Sequence, residues 1–238
     1  MDRTTERSRV LVAVASRLDE GARALADRCA DVRILTCEDL SVAGWRHSPG
    51  SSETSTAVVG GEVVPADEIQ GVLIRRSRVL GWEPDHIVPG DRAYVAAEMT
   101  AFLRSWLSGL GCPVLNRPSP TCLSGPGWCR EQWVQTAARL GIPARPVRWR
   151  LESSGCAPED EPAFTATVVG ERCLGAADRA SAAWALRLAR AAGVDLLAAR
   201  FGEAKSGFEL LDADPWADVS LPEVADAILE YLGEGRRC

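Results

Sequence analysis

Three consecutive stretches decide the fold class of this 238-residue chain: Arg9-Val-Leu-Val-Ala-Val-Ala15, the segment Asp19 to Cys29, and Val32-Arg-Ile-Leu-Thr36. The first is a short apolar run bounded by polar residues, the pattern of a buried strand. The second carries apolar residues at Ala22, Leu25, Ala26 and Cys29, which is helical spacing. The third is another strand. Strand, helix and strand at this separation predict a βαβ unit with a right-handed crossover, and hence a parallel sheet. The turn Ala13-Val-Ala-Ser-Arg-Leu-Asp19 holds neither G-x-G-x-x-G nor a P-loop, so no phosphate cradle of either kind is expected there.

Downstream, residues 41–56 are rich in Ser, Gly and Pro around Gly44-Trp45-Arg46-His47 and read as a long loop. Ala57 to Val64 reads as a hairpin turning at a Gly-Gly pair, and Gly71 to Arg75 as a strand that ends in the cluster Arg75, Arg76 and Arg78. Asp91 to Leu110 is the strongest helix signal. Asp91 is placed to cap it, and Tyr94, Ala97, Ala101, Phe102, Leu103 and Trp106 are its expected apolar face. Pro113 to Leu115 is a short strand, and 117–129 a loop with three prolines and two glycines. A helix from Glu131 to Leu140 stops at Gly141-Ile142-Pro143, and Pro146 to Arg150 is expected to be a strand. The polar stretch 152–162 reads as a linker. A hairpin (Phe164–Val169, Arg172–Leu174), a helix (Ala182–Ala192), two strands (Leu196–Phe201, Gly207–Asp212) and a helix (Leu221–Leu232) complete the chain.

Composition excludes several function classes. A net charge of -6 argues against general nucleic-acid binding, which needs a basic face. The arginine cluster at 75–78 is either an anion site or a solvated strand end. Lys205 is the only lysine and lies in a turn, so Schiff-base chemistry is not expected. The polar N-terminus lacks a signal peptide's apolar stretch and no run could span a bilayer, which together predict a cytoplasmic protein without membrane partners. In that compartment thiols stay reduced. The eight cysteines, at 29, 37, 112, 122, 129, 156, 173 and 238, include no C-x-x-C, and His47 and His86 stand apart from them. Neither a zinc site nor a disulfide framework is expected. Cys122 and Cys129, which bracket the glycine-rich loop, are the candidate functional thiols; the others read as small core residues.

The order of pieces resembles the ATP-grasp superfamily, especially its peptide- and ribosomal-protein-modifying branch. Cys112-Pro-Val-Leu-Asn-Arg-Pro118 and Ala137-Ala-Arg-Leu-Gly-Ile-Pro143 are similar to the end of that branch's N-terminal domain and the helix after it. Val168-Val-Gly-Glu-Arg-Cys-Leu174 resembles its central hairpin, and Phe208-Glu-Leu-Leu-Asp-Ala-Asp-Pro215 its closing strand. The resemblance implies an α/β protein: a Rossmann-like (pre-ATP-grasp) N-terminal domain over 1–118, then a truncated ATP-grasp-like α+β domain over 119–238. It implies a nucleotide site at Arg130, Asn116 and Trp128, with Arg130 standing where the family carries its first phosphate-binding lysine. Asp212 and Asp214 match the magnesium ligands, two acids at i and i+2 on one strand face. The departures are as telling. Only the 152–162 linker stands where the ATP-covering lid of roughly 70 residues belongs, too short for even a few strands of about 17 Å each. Arg200 stands where the family has its upstream acid, so Asp212 and Asp214 read either as a structural ion pair with Arg200, the favoured expectation, or as a metal site.

Three functions remain open at this stage. The first is a degenerate ATP-grasp-like protein (a pseudoenzyme) that binds a peptide, small ligand or partner enzyme, with no cofactor, in a peptide-modification or natural-product pathway. The second is a carboxylate–amine ligase using ATP and magnesium through Arg130, Asp212 and Asp214. The third is an enzyme with Cys122 or Cys129 as nucleophile, activated in space by His47 or His86. Of the eight tryptophans, Trp128 and Trp216 neighbour the matched site positions and are expected at the cleft, while the 91–110 helix is either internal or the seam of a homodimer.

Overall fold

A computed structural model describes residues 10–48, 51–147, 161–205 and 207–234. The first half of the chain forms β1 (Val10–Ala15), α1 (Glu20–Arg28), β2 (Val32–Leu35), β3 (Arg46–Ser48), β4 (Ser51–Val59), β5 (Glu62–Pro65), β6 (Ile69–Arg75), α2 (Arg92–Gly109) and β7 (Val114–Leu115). The second half forms α3 (Arg130–Arg139), β8 (Phe164–Val169), β9 (Arg172–Leu174), α4 (Arg179–Ala192), β10 (Leu196–Ala204), β11 (Gly207–Asp214) and α5 (Pro222–Glu234). Contacts group these elements into two compact units, one running to Gly125 and taking in the chain from Val219, the other spanning Pro126–Asp218. The protein is a mixed α/β chain with parallel and antiparallel sheets.

In the first unit a parallel sheet has the order β2-β1-β6-β7. β1 is central and buried along its whole length, because both of its faces are covered. Asp19 caps α1 by accepting the Ala22 N–H at 2.9 Å. α5 returns to this sheet and lies on β6 at Gly71, where a Cβ would come within 2.8 Å of the Leu232 Cβ. Glycine is therefore what lets the helix approach the strand this closely.

Three expectations are corrected by these elements. Residues 41–56 are not a long loop, since β3, β4 and β5 form an antiparallel sheet in which Arg46 faces Thr56 and Thr56 faces Pro65. A half-buried strand needs only alternate residues inward, so the Ser/Thr stretch extends the ladder with Ser55 and Ala57 buried. Trp45 anchors this sheet, edge-on to Phe102 and Trp106 with its indole N–H on the Asp39 carbonyl. In α2 the buried stripe is Ala96, Met99, Leu103, Trp106 and Leu107, whereas Tyr94 is 68% exposed and Ala97 and Ala101 face solvent. Apolar residues surround much of this helix, so composition left its rotation undetermined. Asp91 occupies the N-cap position but makes no side-chain cap bond.

The second unit is an antiparallel sheet, order β11-β10-β8-β9. Its core gathers Trp133 and Ala137 of α3, Ala185 and Leu188 of α4, and Val168, Leu197, Phe201 and Leu210 of the sheet. Burying a side chain such as Phe201 stabilises by about 1.5–3 kcal/mol. α4 starts at Asp178, which exchanges bonds with Ser181, and stops at left-handed Gly193. Pro146 and Val147 lie outside any strand; the rest of the 146–150 segment and most of the 152–162 linker fall outside the described residues. Among the described residues no helix is long and apolar enough to cross a membrane.

Candidate functional site

The β10–β11 pair carries the charged cluster. The ladder sets Arg200 opposite Asp212 and Ala198 opposite Asp214, and Leu211 is the extra residue where the register shifts. Asp212 and Asp214 consequently project from the same face, and Arg200 projects with them. Arg200 Nη1 donates to Asp212 Oδ2 at 3.1 Å, and its Nη2 donates to Asp214 Oδ2. The remaining oxygens are also engaged: Asp212 Oδ1 accepts the Ala213 N–H at 2.8 Å, and Asp214 Oδ1 accepts the Trp216 N–H at 2.7 Å. One guanidinium thus bridges two half-buried carboxylates whose other oxygens hold the backbone.

Arg130, the first residue of α3, donates from Nε to the Leu211 carbonyl at 2.9 Å, on the bulge residue itself. It lies near enough to Asp212 to act on that carboxyl. Burial pushes the Asp212 carboxyl above its ordinary value; the Ala213 N–H and the charges of Arg200 and Arg130 pull the other way. This set does not fit a magnesium ion. A divalent cation needs carboxylate oxygens free of a competing positive charge, and here the guanidinium already sits between them. Among the described residues no group of three or more His, Cys, Asp or Glu side chains is placed to hold a metal.

Cys129 stands beside this cluster in sequence and is exposed. It occupies the N-cap of α3: the Gln132 N–H donates to the Cys129 carbonyl at 3.0 Å, while Gln132 Oε1 accepts the Cys129 N–H at 2.9 Å. A hydrogen bond from the Cys129 thiol, first of all, holds Glu131 below its ordinary value. Trp128 packs edge-on against Trp133 with ring centroids 4.7 Å apart, and Trp216 is 45% exposed. Asn116 and Cys122 belong to the other compact unit and are both buried, the Cys122 thiol 3.4 Å from Ser124 Oγ. The histidines offered as thiol activators are engaged in that unit too, His47 with Ser105 and His86 with Ser41.

Sequence reasoning missed a buried ion pair at the end of β6, where Arg76 and Glu83 are each 4% exposed. Nothing in the spacing signalled it, because Glu83 arrives by way of a loop. Cys37, read from the sequence as a small core residue, is buried, and its thiol is pushed up to about 12 by burial and then by Glu38. Of the predicted residues, then, Arg130, Arg200, Asp212 and Asp214 come together in one place.

No family model matches the chain, and no curated protein matches it. Solved structures do. The macrocyclase MdnC bound with precursor peptide MdnA from Microcystis aeruginosa MRC superposes with a TM-score of 0.67 at 14% identity, over 94% of this chain and 98% of that one. The ATP-grasp ligase PsnB, complexed with a phosphomimetic variant of its minimal precursor, Mg and ADP, gives 0.66 at 11% identity over 94% and 98%. The chain has the fold of the ATP-grasp ligases. A RiPP-associated ATP-grasp ligase from Chryseobacterium gregarium, in complex with ADP and a leader and core peptide, agrees at 0.63 and 11% identity over 94% and 96%. Within this ATP-grasp fold, the charged cluster of β10 and β11 lies at the closing strand that the sequence motifs single out.

Proposed function

We propose that this protein is a degenerate ATP-grasp relative that binds a peptide or a partner enzyme without ligating it, in a peptide-modification pathway. The observation that carries this reading is Arg200, whose guanidinium satisfies both carboxylates expected to hold magnesium. A ligase of this fold works by electrostatic positioning of phosphate around its metal, so a protein cation fixed on the metal ligands removes the centre of that chemistry. The short 152–162 stretch supports the same conclusion, since the lid that would exclude water has no chain from which to be built. The peptides bound by MdnC and by the Chryseobacterium gregarium ligase favour a peptide as the ligand class. The reading takes 1–118 as a Rossmann-like, pre-ATP-grasp domain and 119–238 as a truncated ATP-grasp-like one, and it places the protein in the cytoplasm.

One observation favours active ligation as the alternative. Arg130 and Asp212 lie close together, so a phosphate-binding cation and a carboxylate do converge. Steady-state ADP release from magnesium ATP separates the two readings. The binding reading expects release no faster than the buffer blank; turnover that is lost in Arg130→Ala overturns it.

A further inference from the structure

After α3 the chain reverses at left-handed Gly141 and runs back along the helix as the segment Pro143 to Val147. This segment attaches to β11 in parallel fashion: the Leu210 N–H donates to the Pro143 carbonyl at 2.8 Å, and the Arg145 N–H donates to the Leu210 carbonyl at 2.9 Å. In a parallel pairing the intervening residue directs its own N–H and carbonyl to the opposite side. That residue is Ala144, and among the described residues neither of its backbone groups has a backbone partner. The segment is therefore an open sheet edge.

Beside this edge lies a groove of about 430 Å³. One wall is a helical stripe of α3 at i, i+3, i+4 and i+7, made of Glu131, Val134, Gln135 and Ala138; the other includes Ala144 and Val147. Its floor is apolar, and among the described residues its polar side chains are amides and its single charge is Glu131, kept below its ordinary value by the bond from Cys129. Among the described residues no basic side chain lines it. We propose that this groove takes an extended peptide segment, which adds to the Ala144 edge as a strand and sets a basic side chain at Glu131.

Each element of the site matches that occupant. An extended chain supplies the carbonyl and N–H that Ala144 lacks, and alternate side chains of an added strand turn towards one wall. Ala138 leaves room for an apolar side chain at the end nearer Ala144. Glu131, at the other end of the stripe, complements a lysine or arginine. The proposal rests on the binding reading above and names the surface that performs it.

Fluorescence anisotropy with two labelled hexapeptides tests it, both with the same alternating Val and Thr centre, one flanked by lysines and the other by glutamates. The lysine-flanked peptide is expected to bind the whole protein at least tenfold more tightly than its glutamate counterpart. Ala138→Trp, at an exposed position where the indole fills the groove, is expected to weaken binding at least tenfold, and Glu131→Lys to erase the preference between the peptides. Binding that survives both variants unchanged overturns the groove while leaving the peptide-binding reading intact. Failure of the lysine-flanked peptide to bind also overturns the groove, and the binding reading is then judged separately by ADP release.

Discussion

Arg200 and Asp212 face each other directly across the β10–β11 ladder, with Arg200 Nη1 3.1 Å from Asp212 Oδ2. The same guanidinium reaches Asp214 two residues on, so a single side chain neutralises a pair of acids that would otherwise repel. Arg200→Ala is expected to push the Asp212 carboxyl, already raised by burial, higher still. The sign follows from linkage. A raised carboxyl binds its proton more tightly when folded, so its ionisation costs stability as pH rises through the raised value, and below the unfolded value that cost is absent. Loss of Arg200 enlarges the cost. The variant should therefore lose about 1–2 kcal/mol at neutral pH, the scale of a part-exposed charged hydrogen bond, and the deficit should shrink as pH falls through the carboxylate range. Chemical denaturation across pH, with carboxyl NMR titration, checks both; a deficit independent of pH contradicts the assignment.

Glu83→Ala should be far more damaging than a surface substitution. Arg76 and Glu83 are both almost wholly buried, and among the described residues Arg76 Nε and Nη1 have no hydrogen-bond partner. Removing the carboxylate leaves an uncompensated buried charge, a loss of about 3–5 kcal/mol. Urea unfolding of Glu83→Ala against Glu83→Gln, which keeps an acceptor, measures it. Both substitutions remove the charge, so a Glu83→Gln variant as stable as the unaltered protein would show that the charge is not what matters.

Thiol labelling at neutral pH should rank Cys129 first among the described cysteines. Cys129 is exposed, while Cys37 and Cys173 are pushed up to about 12 and about 11 by burial, and Cys112 and Cys122 are buried. Only the thiolate reacts, so burial slows Cys37 and Cys173 through both access and ionisation, and Cys112 and Cys122 through access. Iodoacetamide labelling followed by peptide mapping gives the order; rapid modification of Cys37 would contradict it.

Gly71→Val tests the seat of α5. The introduced Cβ would meet Leu232 at 2.8 Å, and the Leu232 carbonyl at 3.0 Å, so the helix must move off the strand. A loss of about 1–3 kcal/mol is expected for such overpacking. Faster amide exchange along α5 in the variant would locate the damage, and unchanged exchange there would refute the packing assignment.

What was legible in the sequence follows the range of the interactions. β1, α1 and β2 are local apolar runs with their own caps, and the β8–β9 turn at Gly170 and the α4 stop at Gly193 are written in single glycines. The rotation of α2 was not legible, because Tyr94, Ala97 and Ala101 are as apolar by type as the residues it buries. Nor was the extension of β4 into a polar stretch, which is held by pairing with β3. At the site, the i and i+2 spacing of Asp212 and Asp214 was visible, and so was the arginine expected beside them. Their engagement with the Ala213 and Trp216 amides was not, because it depends on the local backbone after the bulge. The open edge at Ala144 needed the placement of 143–147 against β11, which no local pattern encodes.

Isothermal titration of magnesium ATP into the whole protein tests the central claim most directly, because it asks whether Arg200 has taken the place of the metal. No saturable heat up to millimolar nucleotide is the predicted result. Micromolar affinity that disappears in both Arg130→Ala and Asp212→Ala would contradict it and make the protein a nucleotide-binding ligase.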